Sequence, residues 1–259
     1  MTLSQPGKWE KYFWPVLTAA IFLAIWHYAV IVTKSTVFPS PFKVLAGAQE
    51  LARKGVLLGY IRDSLSRVGL GYGLAMLLGV PIGLTLGWYP AASHVANPVI
   101  QIMRPISPLA WSPVAIVLFG VGNTSAVFLI FLASFFPIVV AAMNGVRNVP
   151  SMYRRAGRNF GLSPGKLLAK VVFPAALPQI IVGLRIALGI AWLVVVAAEM
   201  LAVDSGLGYL VIDARNSGNR YDLVIAAMIM IGVIGLALDI VFRRLEQIKS
   251  IRWGFRLEA

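Results

Sequence analysis

Between Arg67 and Arg104 the chain runs without a single Asp, Glu, Lys or Arg, and from 105 to 146 it carries no ionisable side chain at all. A soluble domain has no place for such stretches. A bilayer core about 30 Å thick is crossed by roughly 20 apolar residues of helix, so each run is long enough for nearly two spans once its polar turns are counted. Residues 12–33, between Lys11 and Lys34, form another uncharged run. With 59% hydrophobic residues and a mean hydropathy of +0.81, the chain reads as a polytopic helical membrane protein.

Glycine, proline and charge divide it into about six spans: 13–33, 66–88, 97–119, 124–143, 179–201 and 223–242. The expected fold is all-α, a transmembrane helical bundle. A cytoplasmic N-terminus (1–12) precedes one membrane domain (13–242), and a basic cytoplasmic tail (243–259) follows it. The first run is flanked by lysines with no small-residue cleavage site after it, so it reads as an anchor rather than a removable signal. With no cysteine and only two histidines, neither a disulfide frame nor a metal cluster is expected.

The net charge of +13 would suit nucleic acid, but its placement argues for topology instead. Arg154, Arg155, Arg158, Lys166 and Lys170 lie between Met152 and Pro178 with no acidic residue among them, and Arg147 stands just ahead. The tail adds Arg243, Arg244, Lys249, Arg252 and Arg256. The loop 202–222 is balanced, with Asp204, Asp213 and Asp222 against Arg215 and Arg220. By the positive-inside rule the basic loop near 146–178 and both termini are cytoplasmic. One segment opposes this. Residues 34–67 hold six basic side chains against Glu50 and Asp63 on the outer side, and an interfacial amphipathic helix over Pro41–Ala52 is the expected explanation.

Gly79, Gly83 and Gly87 make a small-residue stripe in the second span, with Gly69 and Gly73 one register earlier, as close helix packing in lipid requires. Pro81 within it should kink the helix or be compensated by neighbours. Gly120-Val121-Gly122-Asn123 reads as a tight turn. In the basic loop, Ser151 to Gly161 predicts a short helix that Ser151 caps after Pro150. Gly161-Leu-Ser-Pro164 breaks it, and a second helix starts near Ser163 with Pro164 at its first position, ending where Pro174 and Pro178 intervene. The product is an elbow suited to a groove on another protein. Gly161 to Lys166 mimics a phosphate loop, but it has three residues between the glycines where four are needed and no Ser or Thr after Lys166.

Arg155-Ala156-Gly157, then Gly161, then Val171, Phe173 and Pro174, resemble the EAA loop of ATP-binding-cassette (ABC) importer permeases. Arg155 stands where that family usually has Glu, and Gly157 where it has Ala. Pro105-Ile-Ser-Pro-Leu-Ala-Trp111-Ser-Pro113, Phe119-Gly-Val-Gly122, Phe135-Phe-Pro137, Pro174-Ala-Ala-Leu-Pro178, Gly183-Leu-Arg-Ile-Ala187 and Trp192…Ala198-Glu-Met200 are similar to the nitrate, sulfonate, taurine and bicarbonate branch. The resemblance covers about 37–245.

That resemblance implies a type I (MetI-like) importer fold. Two permease copies would flank a path, with two cytoplasmic ATPases and an extracytoplasmic solute-binding protein as partners. ATP and Mg would sit on the ATPase, and no cofactor or catalytic residue is expected on this chain. The loop becomes the coupling helix, with Arg154, Arg155, Ala156, Gly157, Phe160, Gly161, Leu162 and Pro174 as its coupling residues. An arginine in place of glutamate implies an acidic partner groove near Arg155.

Polar groups within spans usually face a cavity or a partner. Arg185, Trp192 and Glu199 repeat every seven residues and fall on one helix face, too far apart to pair with one another. Glu199 is expected as a gate or an ion-pair partner rather than a ligand, because a lone carboxylate repels anions. Arg185 can snorkel, and Asp239 can pair with Arg243 four residues on. Arg104, Ser107, Trp111 and Ser112 sit among three prolines and suit a small oxyanion, the alternative being an interfacial arginine beside packing tryptophan. Together with Trp192 and Glu199 they are the candidate path residues. The branch resemblance ranks aliphatic sulfonate or taurine ahead of nitrate or bicarbonate. An ion-gradient-driven transporter and a non-transporting assembly protein are the competing classes.

Overall fold

The protein is known from a computed structural model, which describes residues 9–33 and 37–246; the expectations for residues 1–8, Lys34, Lys249, Arg252 and Arg256 lie outside them. The described regular structure is helical: α1 (Glu10–Thr33), α2 (Pro41–Arg53), α3 (Val56–Trp88), α4 (Pro90–Met103), α5 (Ser112–Phe119), α6 (Asn123–Arg147) and α7 (Ser151–Asn159). There follow α8 (Pro164–Leu167), α9 (Phe173–Ala202), α10 (Leu207–Asn216) and α11 (Tyr221–Glu246), with a 3-10 turn at Pro108–Trp111 and a π turn at Leu168–Val172. Five helices are long and apolar enough to cross a membrane, and six crossings result if the pair Pro90–Met103 and Pro108–Phe119 counts as one. That pair covers the span expected over 97–119, and it is bent by 86°. Pro105 and Pro108 lack the N–H that would continue α4, so the chain breaks there.

The chain divides into two compact units, one running up to Leu58 and including Leu210–Met230, the other comprising Gly59–Tyr209 and the chain from Ile231 on. In the first, α1 buries none of its apolar residues from Phe13 to Thr33, as expected of a helix that faces lipid. Trp26 Nε1–H donates to the Pro39 carbonyl at 3.2 Å, and His27 stands edge-on to Phe42 with ring centroids 5.4 Å apart. Helix α2 begins on Pro41, where the missing N–H costs nothing. Its buried stripe is Val44, Gly47 and Leu51. That stripe is the apolar face of the expected amphipathic helix, and it packs on the chain itself. Gly47 lies against the start of α11, where an added Cβ would sit 3.1 Å from Leu223 Cδ2 and 3.3 Å from the Asp222 backbone. Lys43 and Arg53 stay exposed, as expected.

The same contact neutralises part of the excess positive charge. Glu50 accepts from Arg220 Nη2 at 2.6 Å and Lys54 Nζ at 2.6 Å, and Arg220 also reaches Asp222 at 2.8 Å. Arg220 first, and Lys54 second, hold the Glu50 carboxyl down from 4.5 to about 2. A depressed carboxyl contributes stability above its unfolded pKa and loses it as pH falls through the folded one. The contribution therefore fades between about pH 4.5 and about pH 2. In a carbonyl-resolved infrared titration, Glu50 should protonate near pH 2, and Arg220→Gln should return it toward 4.5; a wild-type midpoint at 4.5 refutes the pairing.

In the second unit α6 is the central strut. Helix α3 meets it along Gly71, Ala75, Gly79, Gly83 and Gly87, four residues apart. A Cβ on Gly83 would lie 2.5 Å from the Val139 carbonyl oxygen, and one on Gly71 2.8 Å from Ile130 Cβ. Gly69 and Gly73 have nothing within 4 Å, so the stripe continues through Gly71 rather than through them. On another side α9 approaches α6, where a Cβ on Gly183 would stand 2.1 Å from Ala141 Cβ. Small residues bring backbones together where lipid removes any hydrophobic drive between helices. The predicted glycine turn is present: Gly120 and Gly122 have φ of 77° and 147°, and Ser125 Oγ donates to the Ala115 carbonyl at 3.0 Å. Pro81 stays inside α3 without ending it, and its carbonyl takes the Thr85 hydroxyl. Gly83→Val should abolish recovery of folded protein from the membrane, whereas Gly73→Val should leave the melting temperature in detergent within a few degrees; equal behaviour of the two refutes this register.

Candidate functional site

The basic loop folds as the elbow that its glycines and prolines dictate. Helix α7 ends in a reciprocal pair of bonds, Gly161 N to the Arg158 carbonyl (2.9 Å) and Leu162 N to the Gly157 carbonyl (3.2 Å). Gly161 at φ +74° is the left-handed residue this C-terminal motif needs. Pro164 then opens α8 at its first position, as expected. Two expectations fail. Ser151 makes no capping hydrogen bond, because Pro150 occupies the N-cap and Ser151 is already helical. The second helix does not stop at Pro174. Phe173 N–H reaches back five residues to the Leu168 carbonyl, and this wider π turn accommodates the donor that Pro174 lacks, so α8 runs on into α9.

Two faces result. Inward, Gly157 is buried beneath Leu167, and an Ala Cβ there would fall 2.4 Å from Leu167 Cδ1. The family's Ala at this position would need the Leu167 side chain to shift. Leu162 is half-buried beside it, and Pro174 is half-buried at the start of α9. Arg154 also turns inward, donating from Nη2 to the carbonyls of Val149 (2.9 Å) and Arg147 (3.4 Å) at the end of α6. Outward, Met152, Arg155, Ala156, Asn159 and Phe160 form one exposed stripe, with Phe160 85% accessible. Of the predicted coupling residues, then, Arg155, Ala156, Phe160 and Gly161 are presented at the surface, while Arg154, Gly157, Leu162 and Pro174 shape and anchor the elbow.

The candidate path residues do not form one site. Arg104, exposed, stands at the lip of a cavity of about 360 Å³ walled by Ile106, Pro108, Phe136, Pro137 and Gly183. Among the described residues no hydrogen-bond or ion-pair partner meets its guanidinium. Ser107 is exposed beyond the bend, and Trp111 and Ser112 are half-buried. Trp192 is buried. Its Nε1–H donates to the Ile231 carbonyl at 3.0 Å, and its ring fills the space a Cβ on Gly235 would take. Arg185 bonds Asp239 Oδ1 at 2.6 Å and Glu246 at 3.4 Å, while Asp239 also takes Arg243 at 2.8 Å.

Glu199 is an ion-pair partner, one of the two roles left open. Its Oε1 takes Arg67 Nη1 at 2.6 Å, and Oε2 takes the Ser64 hydroxyl and the Gly208 N–H, each at 2.9 Å. Arg67 gives three more of its five donors to Asn123 Oδ1 (2.7 Å), the Ser205 carbonyl (2.8 Å) and the Ser205 hydroxyl (2.5 Å). Leu207 N–H donates to Ser64, so the carboxylate and this hydroxyl together cap the start of α10. Gly206, at φ +102°, passes where a Cβ would meet both charged groups, and Gly208 where it would meet the Val196 carbonyl at 2.2 Å. Sequence reading assigned Arg67 to a basic segment and gave Gly206 and Gly208 no role. The Gly-x-Gly two turns after an intramembrane Glu was the available signal.

Apolar crossing helices with a structured elbow at one end define a multi-pass membrane protein. Residues 78–250 match the family of binding-protein-dependent transport system inner membrane components. The chain is 36% identical over 237 residues to the nitrate import permease NrtB of Synechococcus elongatus, covering 86% of this chain and 85% of that one. To the taurine permease TauC of Escherichia coli it is 35% identical over 260 residues (94% and 93%). A Bacillus subtilis permease named for aliphatic sulfonates, SsuC, is 34% identical over 253 residues (96% and 91%). A chain of the inward-facing MetNI methionine ABC transporter superposes with a TM-score of 0.66 at 17% identity, over 73% of this chain and 94% of that one, which fixes the fold as MetI-type. The chain belongs to the inner-membrane components of binding-protein-dependent transport systems, and so is an ABC importer permease, a translocating subunit.

Glu199→Gln leaves Arg67 buried without a counter-charge and should lower unfolding stability by about 3–5 kcal/mol. The pair replacement Arg67→Met with Glu199→Met should lose less than the two single changes summed. Denaturant unfolding of the purified permease in detergent measures both, and a Glu199→Gln protein as stable as wild type refutes the role assigned to the pair.

Proposed function

We propose that this permease carries a small oxyanion inward, with an alkanesulfonate such as taurine ranked ahead of nitrate or bicarbonate, and that ATP hydrolysis on partner subunits drives it through the α7–α8 elbow. ATP and Mg are held by two cytoplasmic ATPases, a second permease copy completes the path, and an extracytoplasmic binding protein delivers the substrate. The basic elbow and the end of α11, with Arg243 and Arg244, lie in the cytoplasm, and six crossings put the N-terminus there too. The observation that carries this reading is the elbow: an anchored inner face and an exposed stripe of Met152, Arg155, Ala156, Asn159 and Phe160, which none of the described residues covers. A rigid lever can be gripped, and a packed contact transmits displacement. Arg104 at its cavity supplies planar donors for an oxyanion. The names of the relatives support the substrate class.

Reconstituted with its ATPase and binding protein, the permease should take up taurine or an alkanesulfonate only when ATP is supplied. Uptake driven by an ion gradient alone overturns the reading, and uptake of nitrate but not sulfonates reverses the ranking. Arg155→Glu should lower transport about tenfold or more, and an acidic-to-basic change in the ATPase groove should restore it. If no such exchange restores transport, the acidic groove is refuted.

A further inference from the structure

A second cavity, of about 440 Å³, opens at the elbow end of the bundle, walled by Trp88, Ser93, His94, Asn97, Arg147 and Arg154. Its chemistry is one-sided. No acidic residue lines it, and among the described residues no carboxylate pairs with Arg147 or Arg154. Arg147 bonds the Ser93 hydroxyl, and Arg154 Nη2 bonds two carbonyls, but Arg154 Nε is buried with no acceptor. Arginines at a membrane surface need no ligand when they fan into water, as positive-inside topology alone would have them. These two instead wall one concavity, and one carries an unsatisfied buried donor, which costs free energy until an acceptor arrives. The first turns of α4 add Pro90, Ser93, His94 and Asn97 to the same wall. Guanidinium forks prefer a tetrahedral oxyanion.

We propose that this cleft is a binding site for a phosphate-type oxyanion, the phosphodiester of an anionic lipid headgroup. The aromatic pair Trp88 and Tyr89 ends the apolar helix α3, and such residues mark the depth of the headgroups. A free phosphate offers the same chemistry but has no acyl chains to hold it at that depth. Arg154 belongs to α7 and Arg147 to α6, so one bound phosphate bridges the elbow to the bundle. The headgroup therefore holds the elbow in place, a consequence that rests on reading α7–α8 as the coupling element, whereas the binding does not.

Native mass spectrometry of the detergent-purified full transporter, titrated with phosphatidylglycerol and separately with phosphatidylcholine, tests the site. Phosphatidylglycerol should be retained preferentially. Arg147→Gln and His94→Glu, each with an unchanged melting temperature, should each weaken it about fivefold, the worth of one charge at a membrane surface. Equal retention of the two lipids, or retention unchanged in both variants, overturns the site. Displacement of the lipid by millimolar inorganic phosphate overturns the lipid assignment in favour of a free oxyanion. In nanodiscs, phosphatidylglycerol should raise transport per ATP hydrolysed in wild type and not in His94→Glu. Selective retention with no such effect overturns the holding of the elbow alone.

Discussion

A polar group taken into hydrocarbon has no water to return to, so its partners must come from the chain itself. Arg67 and Glu199 meet this demand with a bond on every side-chain nitrogen and oxygen they carry. Two charges, two serines, an asparagine and two backbone amides close on one another, leaving no carboxylate oxygen of Glu199 unbonded. The network also determines local geometry. Arg67 belongs to α3, Asn123 opens α6, Glu199 lies near the end of α9, and Leu207 and Gly208 begin α10. Moving any of these leaves a buried charge short of a partner, at several kcal/mol each. The glycine at 206 follows from the pair, since no Cβ fits between it and the backbone passing over it, and Gly208 follows from the α9 backbone at Val196.

Away from the charges, the bundle is held by contact distance. Lipid is as apolar as leucine, so burying leucine against leucine gains little, and close backbone packing must supply the attraction. Helix α6 receives α3 along a glycine face and α9 at Gly183, and its far end carries a small core of Ala142, Val146 and Val149 against Val172, Ala176 and Ile180. Tyr153 and Leu168 pack on that core, so the elbow is seated by the same contacts that hold the crossing helices.

Much of this was legible in the residues. Uncharged runs gave the crossing helices, Gly161 and Pro164 gave the elbow, and the period of seven put Arg185, Trp192 and Glu199 on one face, each with the separate partner that their spacing required. What failed was tertiary. No local rule says that Arg67, beyond the usual interface, pairs with Glu199, because the two are 132 residues apart. The glycine stripe was one register off at its upper end, since Gly69, Gly71 and Gly73 look alike until α6 is placed. Pro174 was read as a stop, yet a π turn relocates the missing bonds and lets the helix continue. The outward stripe of the elbow was legible as a pattern, but Arg154 sits among like residues, and only the exposed carbonyls at the end of α6 explain why it turns inward.

The π turn matters for what the elbow can do. Because α8 is not severed from α9, Pro164–Ala202 is one helical element of 39 residues, on the order of 58 Å at 1.5 Å per residue. One end begins in the elbow under Leu167 and Gly157. The other ends three residues past Glu199, which is fastened to α3 through Arg67 and to the start of α10 through Gly208. A helix hydrogen-bonded along its length resists compression, and its weakest segment is the π turn, where the bonds are longest in sequence and the prolines follow. A displacement imposed on the elbow thus either bends Leu168–Val172 or moves the rod against α6. The tight contacts of Gly145 and Gly183 with the facing helix oppose lateral movement, because a packed interface shifts between discrete arrangements rather than deforming smoothly.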